Sequence, residues 1–252
     1  MDVLFIGKEQ GIVNYKEDLN SQFDILKEKV IQKKIIDNFQ CSEKAYNVLY
    51  VINYFSNRVE LRRDFSDDYF KMTFSCLIEA TVLLTTGYPR ATLLTLRNGI
   101  DFFTKFIIHH QIHSDELCRE VINPSRYTPN KGAVDRILKI KSANDGELWN
   151  EYKSINSKLE SKYTDYSQLV HDLYPNTRIN IASYFDEAIN QDLVVCKNVG
   201  EALEEVFKSI LFLMLIIQVD SLKNWDSDVL REILSLCLSK GDIKKVFKWI
   251  HK

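Results

Sequence analysis

The feature that most limits what this chain can fold into is the spacing of its apolar residues. Over most of the length they recur about every three or four positions, the period of an amphipathic helix rather than a strand. Glycine and proline, which punctuate turn-rich β folds, number only 8 and 4 among 252 residues. The spacing therefore predicts an all-α chain, an irregular multi-helix bundle of roughly eight to ten helices. A chain of this length buries a sizeable core without disulfides or metal. No linker is long or polar enough to require a second domain, so residues 1–252 read as one helical domain.

Residues 1–18 are ambiguous, and the apolar run at residues 3–6 suits a short strand or an extended arm. A helix over residues 21–39 places Phe23, Leu26, Val30, Ile31 and Ile35 on one face. Ser42 suits the N-cap of a long helix through Val48, Leu49, Ile52, Phe55 and Val59. Ser66, Asp67 and Asp68 open the next helix, Gly87 ends it, and Pro89 fits the first turn of a helix reaching about His113. Ser114, Asp115 and Glu116 restart a short helix, and residues 123–132 form a loop. Two helices follow, divided at residues 144–146. The second carries Leu148, Trp149, Tyr152, Ile155 and Leu159 and continues or bends toward Pro175. Residues 201–223 form the most apolar helix, with residues 210–217 at the centre of the core. Asp226 and Ser227 cap another helix, Gly241 breaks it, and residues 226–252 make a C-terminal helical appendage.

Composition removes several function classes. The formal net charge is −2, so no global basic field exists for nucleic acid or membranes. The run at residues 210–217 is far shorter than the about 17–25 residues a membrane-spanning helix needs. The N-terminus lacks a basic, long apolar leader, so a cytoplasmic protein without membrane partners is expected. The five cysteines are odd in number and widely spaced, which indicates reduced thiols rather than a disulfide or zinc framework. His109 and His113 stand one turn apart, but the glutamate of an HExxH motif is missing and a third ligand cannot be assigned. No metal site or cofactor is therefore expected. Phosphate-binding loops, dinucleotide fingerprints and nucleophile elbows are absent too. From Lys240 to Lys252 there are five lysines and one aspartate. That helix suits either an anionic partner or a solvated lysine face with Val246, Phe247 and Ile250 docked on the core.

Two sets of polar residues do not fit the apolar pattern. On a helical wheel Leu96, Ile100, Phe103 and Ile107 fall close together and define the core stripe of their helix. Leu93, Ile108 and Leu94 spread the apolar sector to one side of that stripe. Arg97 and Asp101 fall within this widened sector and stand one turn apart. They read either as a structural ion pair or as a phosphate-binding Arg97 held in place by Asp101. The second set is Tyr163, Ser167 and His171, one turn apart in a row, with Tyr166 at its edge. Hydroxyls and an imidazole in one row supply hydrogen bonds and a group titrating near neutral pH; the alternative is a helix-end histidine bonded to Asp172 or a carbonyl.

These two segments carry a family resemblance. Gly87-Tyr88-Pro89-Arg90-Ala91 with Leu96-Arg97-Asn98-Gly99-Ile100-Asp101, and later Tyr163-x-x-Tyr166-Ser167-x-x-Val170-His171, resemble paired motif helices of divergent members of the HEPN superfamily. The likeness covers residues 66–220. It implies a HEPN-like helical core that often forms a homodimer. In active members it implies a metal-independent endoribonuclease of a prokaryotic antiviral defence or toxin system, cleaving RNA by attack of its 2′-OH. On that reading Arg97 and His171 are the catalytic pair, and Asp101, Tyr166 and Ser167 bind substrate. The active signature, an arginine four to six residues before the histidine, is missing: Asp165, Tyr166 and Ser167 precede His171 at those positions. The alternative is a non-catalytic helical module that binds RNA, nucleotide or a protein partner encoded nearby.

Overall fold

The computed structural model describes residues 14–21, 33–111, 146–172 and 193–251. Its regular structure is helical throughout, with no strand among the described residues. A short helical segment at residues 15–21 precedes α1 (Lys33–Asn57). A 3-10 turn, Asp64–Ser66, leads into α2 (Asp68–Thr85) and α3 (Pro89–Gln111). Then come α4 (Gly146–Asp172), α5 (Leu193–Ile217), α6 (Val219–Leu222), α7 (Ser227–Ser235) and α8 (Lys240–Ile250). The chain is an all-α multi-helix bundle, as its apolar period requires. The expected arm at residues 3–6, the helix restarting at Ser114, the loop at residues 123–132 and the stop at Pro175 lie outside the described residues.

Local chemistry sets most helix ends. The Asp67 carboxylate caps α2, accepting from the backbone N–H of Tyr69 and Phe70 at 2.7 and 3.4 Å. Gly87 ends that helix with a φ of 83°, a conformation that costs other residues strain. Pro89 then begins α3, where a missing N–H loses no hydrogen bond. Several boundaries differ from expectation: the helix expected over residues 201–223 spans Leu193–Ile217 and is followed by the separate turn α6, and two readings of single residues fail. Ser42 does not begin a helix: α1 runs unbroken through it, and the residue is buried mid-helix on the side of Ala45 and Val48. Core packing overrides the capping preference there. Gly241 does not break the chain either but lies in the first turn of α8. The break falls before it, where Ser239 and Asp242 form a reciprocal capping box.

Helix α5 is the centre of the molecule, packed against α1, α2, α3, α4 and α8. Leu203, Phe207, Ile210, Leu211 and Leu213 on it are fully buried, which confirms residues 210–217 as core. Gly200 permits the close crossing with α1, since a Cβ there would lie 2.0 Å from the Cys41 carbonyl oxygen. At the end of α5, Gln218 Nε2 donates to Asp64 Oδ2 at 2.9 Å and ties the 3-10 turn to the core. The buried apolar side chains from Leu19 to Ile250 form one contiguous cluster. Helix α8 joins it through Val246, Trp249 and Ile250. Its lysines face acidic residues of α4: Lys245 Nζ lies 2.6 Å from Glu151 Oε2, and Lys248 pairs with Glu147. No helix among the described residues is long and apolar enough to cross a membrane.

Candidate functional site

The core stripe of the α3 wheel holds, whereas Leu94, counted in the widened apolar sector, is 40% exposed. Leu96, Ile100, Phe103 and Ile107 are buried, and Phe106 extends the buried sector toward Phe65 and Phe70. Asp101 is 8% exposed and Arg97 half-buried, so both charges do lie inside the apolar sector. Their partners differ from the expected pairing. The ion-pair partner of Asp101 is Lys105, one turn further along α3, with Nζ 2.6 Å from Oδ2. Asp101 Oδ1 has no hydrogen-bond partner among the described residues. Burial pushes the Asp101 carboxyl above its ordinary range, while Lys105 and then Arg97 pull it back. Asp101 therefore acts on the guanidinium through space; Asn98 Oδ1 on α3 accepts from Arg97 Nη1 at 3.5 Å, and the acceptors of two shorter hydrogen bonds stand on another helix.

Those groups belong to α4, which packs beside α3. Arg97 Nε donates to Ser167 Oγ at 2.6 Å, and Nη2 donates to the Tyr163 hydroxyl at 2.8 Å. The guanidinium carbon lies 4.6 Å from the centroid of the Tyr163 ring, within cation–π range. Ser167 Oγ in turn donates to the Tyr163 carbonyl at 2.7 Å, the back-bond a serine makes one turn earlier in a helix. Tyr163 and Ser167 thus form the row read from their spacing, and that row cradles Arg97. The structure brings together residues 66 and 70 positions apart. Ser167 has its one proton on a carbonyl and accepts from Arg97, so it serves as an anchor of the guanidinium rather than a donor to a ligand.

Tyr166 stands apart from this row. It is 5% exposed, and its hydroxyl finds no partner among the described residues. Burial, then Glu205 on α5 and Asp165, push its phenol up. Tyr166 belongs to the core between α4 and α5 rather than to the Arg97 cradle. His171 lies on α4 one turn beyond Ser167, in the expected register; its side chain lies outside the described part of the structure.

Sequence reasoning missed two partners. Lys105 follows Asp101 at the spacing of a helical ion pair, so its signal was present. The contact of His109 Nδ1 with the carboxylate of Asp67 had no local signal, because it joins the end of α3 to the cap of α2. It occupies one nitrogen of the histidine considered for zinc, and no metal-ligand cluster exists among the described residues. His113 lies outside them. A cavity of about 270 Å³ opens between α1 and α2, lined by Tyr46, Tyr50, Phe74, Ile78 and Val82 among others. Among the described residues no carboxylate, cation or imidazole lines it, although the Tyr50 hydroxyl on its wall donates to Asp18. Comparison with protein-family models, curated proteins and solved structures finds no match for the chain.

Proposed function

We propose that this chain is a HEPN-like helical protein of a prokaryotic defence or toxin system and acts on RNA without metal. The observation that supports this most is the docking of Arg97 onto Tyr163 and Ser167. The two segments that carry the family resemblance pack against each other, although nothing local forces them together. Arg97 neutralises the scissile phosphate, and Tyr163 and Ser167 hold it in position. His171, continuing the row, handles protons as the 2′-O–P bond forms and the P–O5′ bond breaks; histidine ordinarily titrates near about pH 6.5. In a homodimer the groups come from one subunit or from both. Incubation of purified protein with total RNA in EDTA tests this. Cleavage by the wild type that disappears in both Arg97→Ala and His171→Ala supports it. Cleavage surviving loss of both residues refutes it.

A second reading rests on a specific observation. All three nitrogens of Arg97 already donate within the protein, to Ser167, Asn98 and Tyr163, and the active signature before His171 is missing. On that reading the cradle is a binding site in a non-catalytic module, and RNA is held intact.

A further inference from the structure

The cavity between α1 and α2 plays no part in the RNA-directed reading, and its walls suit a ligand of a different kind. One wall runs along α1 from Tyr46 to Asn53, the other along α2 from Phe74 to Val82. Each is two helical turns long, about 11–12 Å, so the cavity is a slot. Its volume of about 270 Å³ exceeds the roughly 150 Å³ of a cavity that holds benzene and lies near the lower end of ordinary small-molecule pockets. A helix of the same length fills roughly 900 Å³, so a docked helix does not fit inside. On the α2 wall Ile78 and Val82 are 42% and 39% exposed, an apolar surface that no described residue covers.

The polar groups on these walls fix the chemistry of the occupant. Tyr50 donates to Asp18, and the Thr81 hydroxyl donates to the Leu77 carbonyl at 2.9 Å. Asn53 Oδ1 accepts from Asn57 Nδ2 at 2.9 Å, whereas Asn53 Nδ2 donates to no described residue. That amide stands at one end of the α1 wall, and between it and Tyr46 the wall presents Leu49 and Tyr50. A carboxylate or ammonium head would meet no opposite charge among the lining residues, and a charge removed from water without a partner is costly. A slim apolar body with one uncharged acceptor at its end matches both the length of the slot and its single free donor. We propose that the slot between α1 and α2 binds an uncharged acyl compound of medium chain length, an amide or ester, with its chain between Leu49, Phe74, Ile78 and Val82 and its carbonyl oxygen accepting from Asn53 Nδ2. The site lies on α1 and α2, apart from the Arg97 cradle on α3 and α4, and does not depend on the RNA-directed reading.

Isothermal titration calorimetry with octanamide as the probe and octanoate as its charged counterpart tests this on wild type, Val82→Asp and Asn53→Leu. Neither position is buried, so the variants should fold; thermal melting of the free proteins checks this, and Ile78→Asp replaces Val82→Asp if the latter melts early. Wild type should bind octanamide with a Kd of about 0.1–1 mM, the range open to so small a ligand, and its melting midpoint should rise with octanamide concentration. Val82→Asp, which puts a carboxylate on the wall, should weaken binding at least about tenfold. Asn53→Leu keeps the apolar contact and loses the donor, so a weakening of about fivefold is expected, the scale of one neutral hydrogen bond. Octanoate at neutral pH should bind at least about tenfold more weakly than octanamide. No binding of octanamide by the wild type overturns the proposal. Unchanged binding in the aspartate variant overturns the slot as its place, and unchanged binding in Asn53→Leu overturns the carbonyl contact. Octanoate binding as tightly as octanamide overturns the uncharged head. A wild-type dimer in sedimentation that ignores octanamide and dissociates in the aspartate variant overturns the ligand in favour of a second copy of the chain.

Discussion

Arg97 and Asp101 stand one turn apart on α3, yet each is satisfied by a different neighbour, and mutations should tell them apart. Arg97 is half-buried and donates to the hydroxyls of Ser167 and Tyr163, so Arg97→Ala removes those hydrogen bonds. A loss of about 1–2 kcal/mol is expected from urea unfolding. Lys105→Ala leaves Asp101 without its ion-pair partner in the core and should cost about 3–5 kcal/mol in the same measurement. Asp101 also leaves a signature in pH. Its carboxyl titrates above the ordinary 3.8 in the folded chain. As pH rises past that value the unfolded chain gives up this proton first, so ionisation favours unfolding. The contribution of Asp101 to stability should therefore decline with rising pH from about 4 to its raised value, then level off. The difference in unfolding free energy between wild type and Asp101→Asn, followed over that range, should show this slope. Both charges were legible because a helical wheel reports which face a residue occupies. Their partners were not fully legible. The wheel carries no information on which helix packs there, and the hydroxyls lie 66 and 70 positions away.

At the scale of elements, α8 separates what the sequence shows from what packing decides. Its lysines drew attention as a basic stripe, but two of them pair with Glu147 and Glu151 on α4. These pairs are substantially exposed, and such pairs contribute little. Replacing Lys245 and Lys248 together by alanine should cost less than about 1 kcal/mol in denaturant unfolding. Trp249→Ala, in the core against Phe212, should cost about 3–5 kcal/mol. The helix is thus held by its apolar face. That face was readable from Val246 and Ile250, while the acidic complement on α4 was not, since α4 and α8 are distant in the chain. Helix boundaries show the same division. Gly87 and Pro89 acted as their backbone chemistry dictates. Ser42 did not, because a cap is only a preference and the burial of its flanking turn outweighs it.

Across the whole molecule, the apolar period was enough to specify an all-α bundle and to place residues 210–217 at its centre. The arrangement of helices around α5 depends on complementary surfaces and was not readable. The turn at Gly87 has a further consequence, for the order in which the chain assembles. Only Thr86, Gly87 and Tyr88 separate α2 from α3, which pack against each other extensively. Closing so short a loop costs little chain entropy, whereas joining α1 to α5 requires closure of most of the chain. The α2–α3 hairpin should therefore be formed in the folding transition state, with the α1–α5 crossing and α8 added later. In a stopped-flow chevron, Gly87→Ala, which strains the positive φ, should mainly slow folding. Trp249→Ala should mainly speed unfolding. On this route Arg97 is carried into place on a hairpin already formed, and its cradle closes only when α4 arrives.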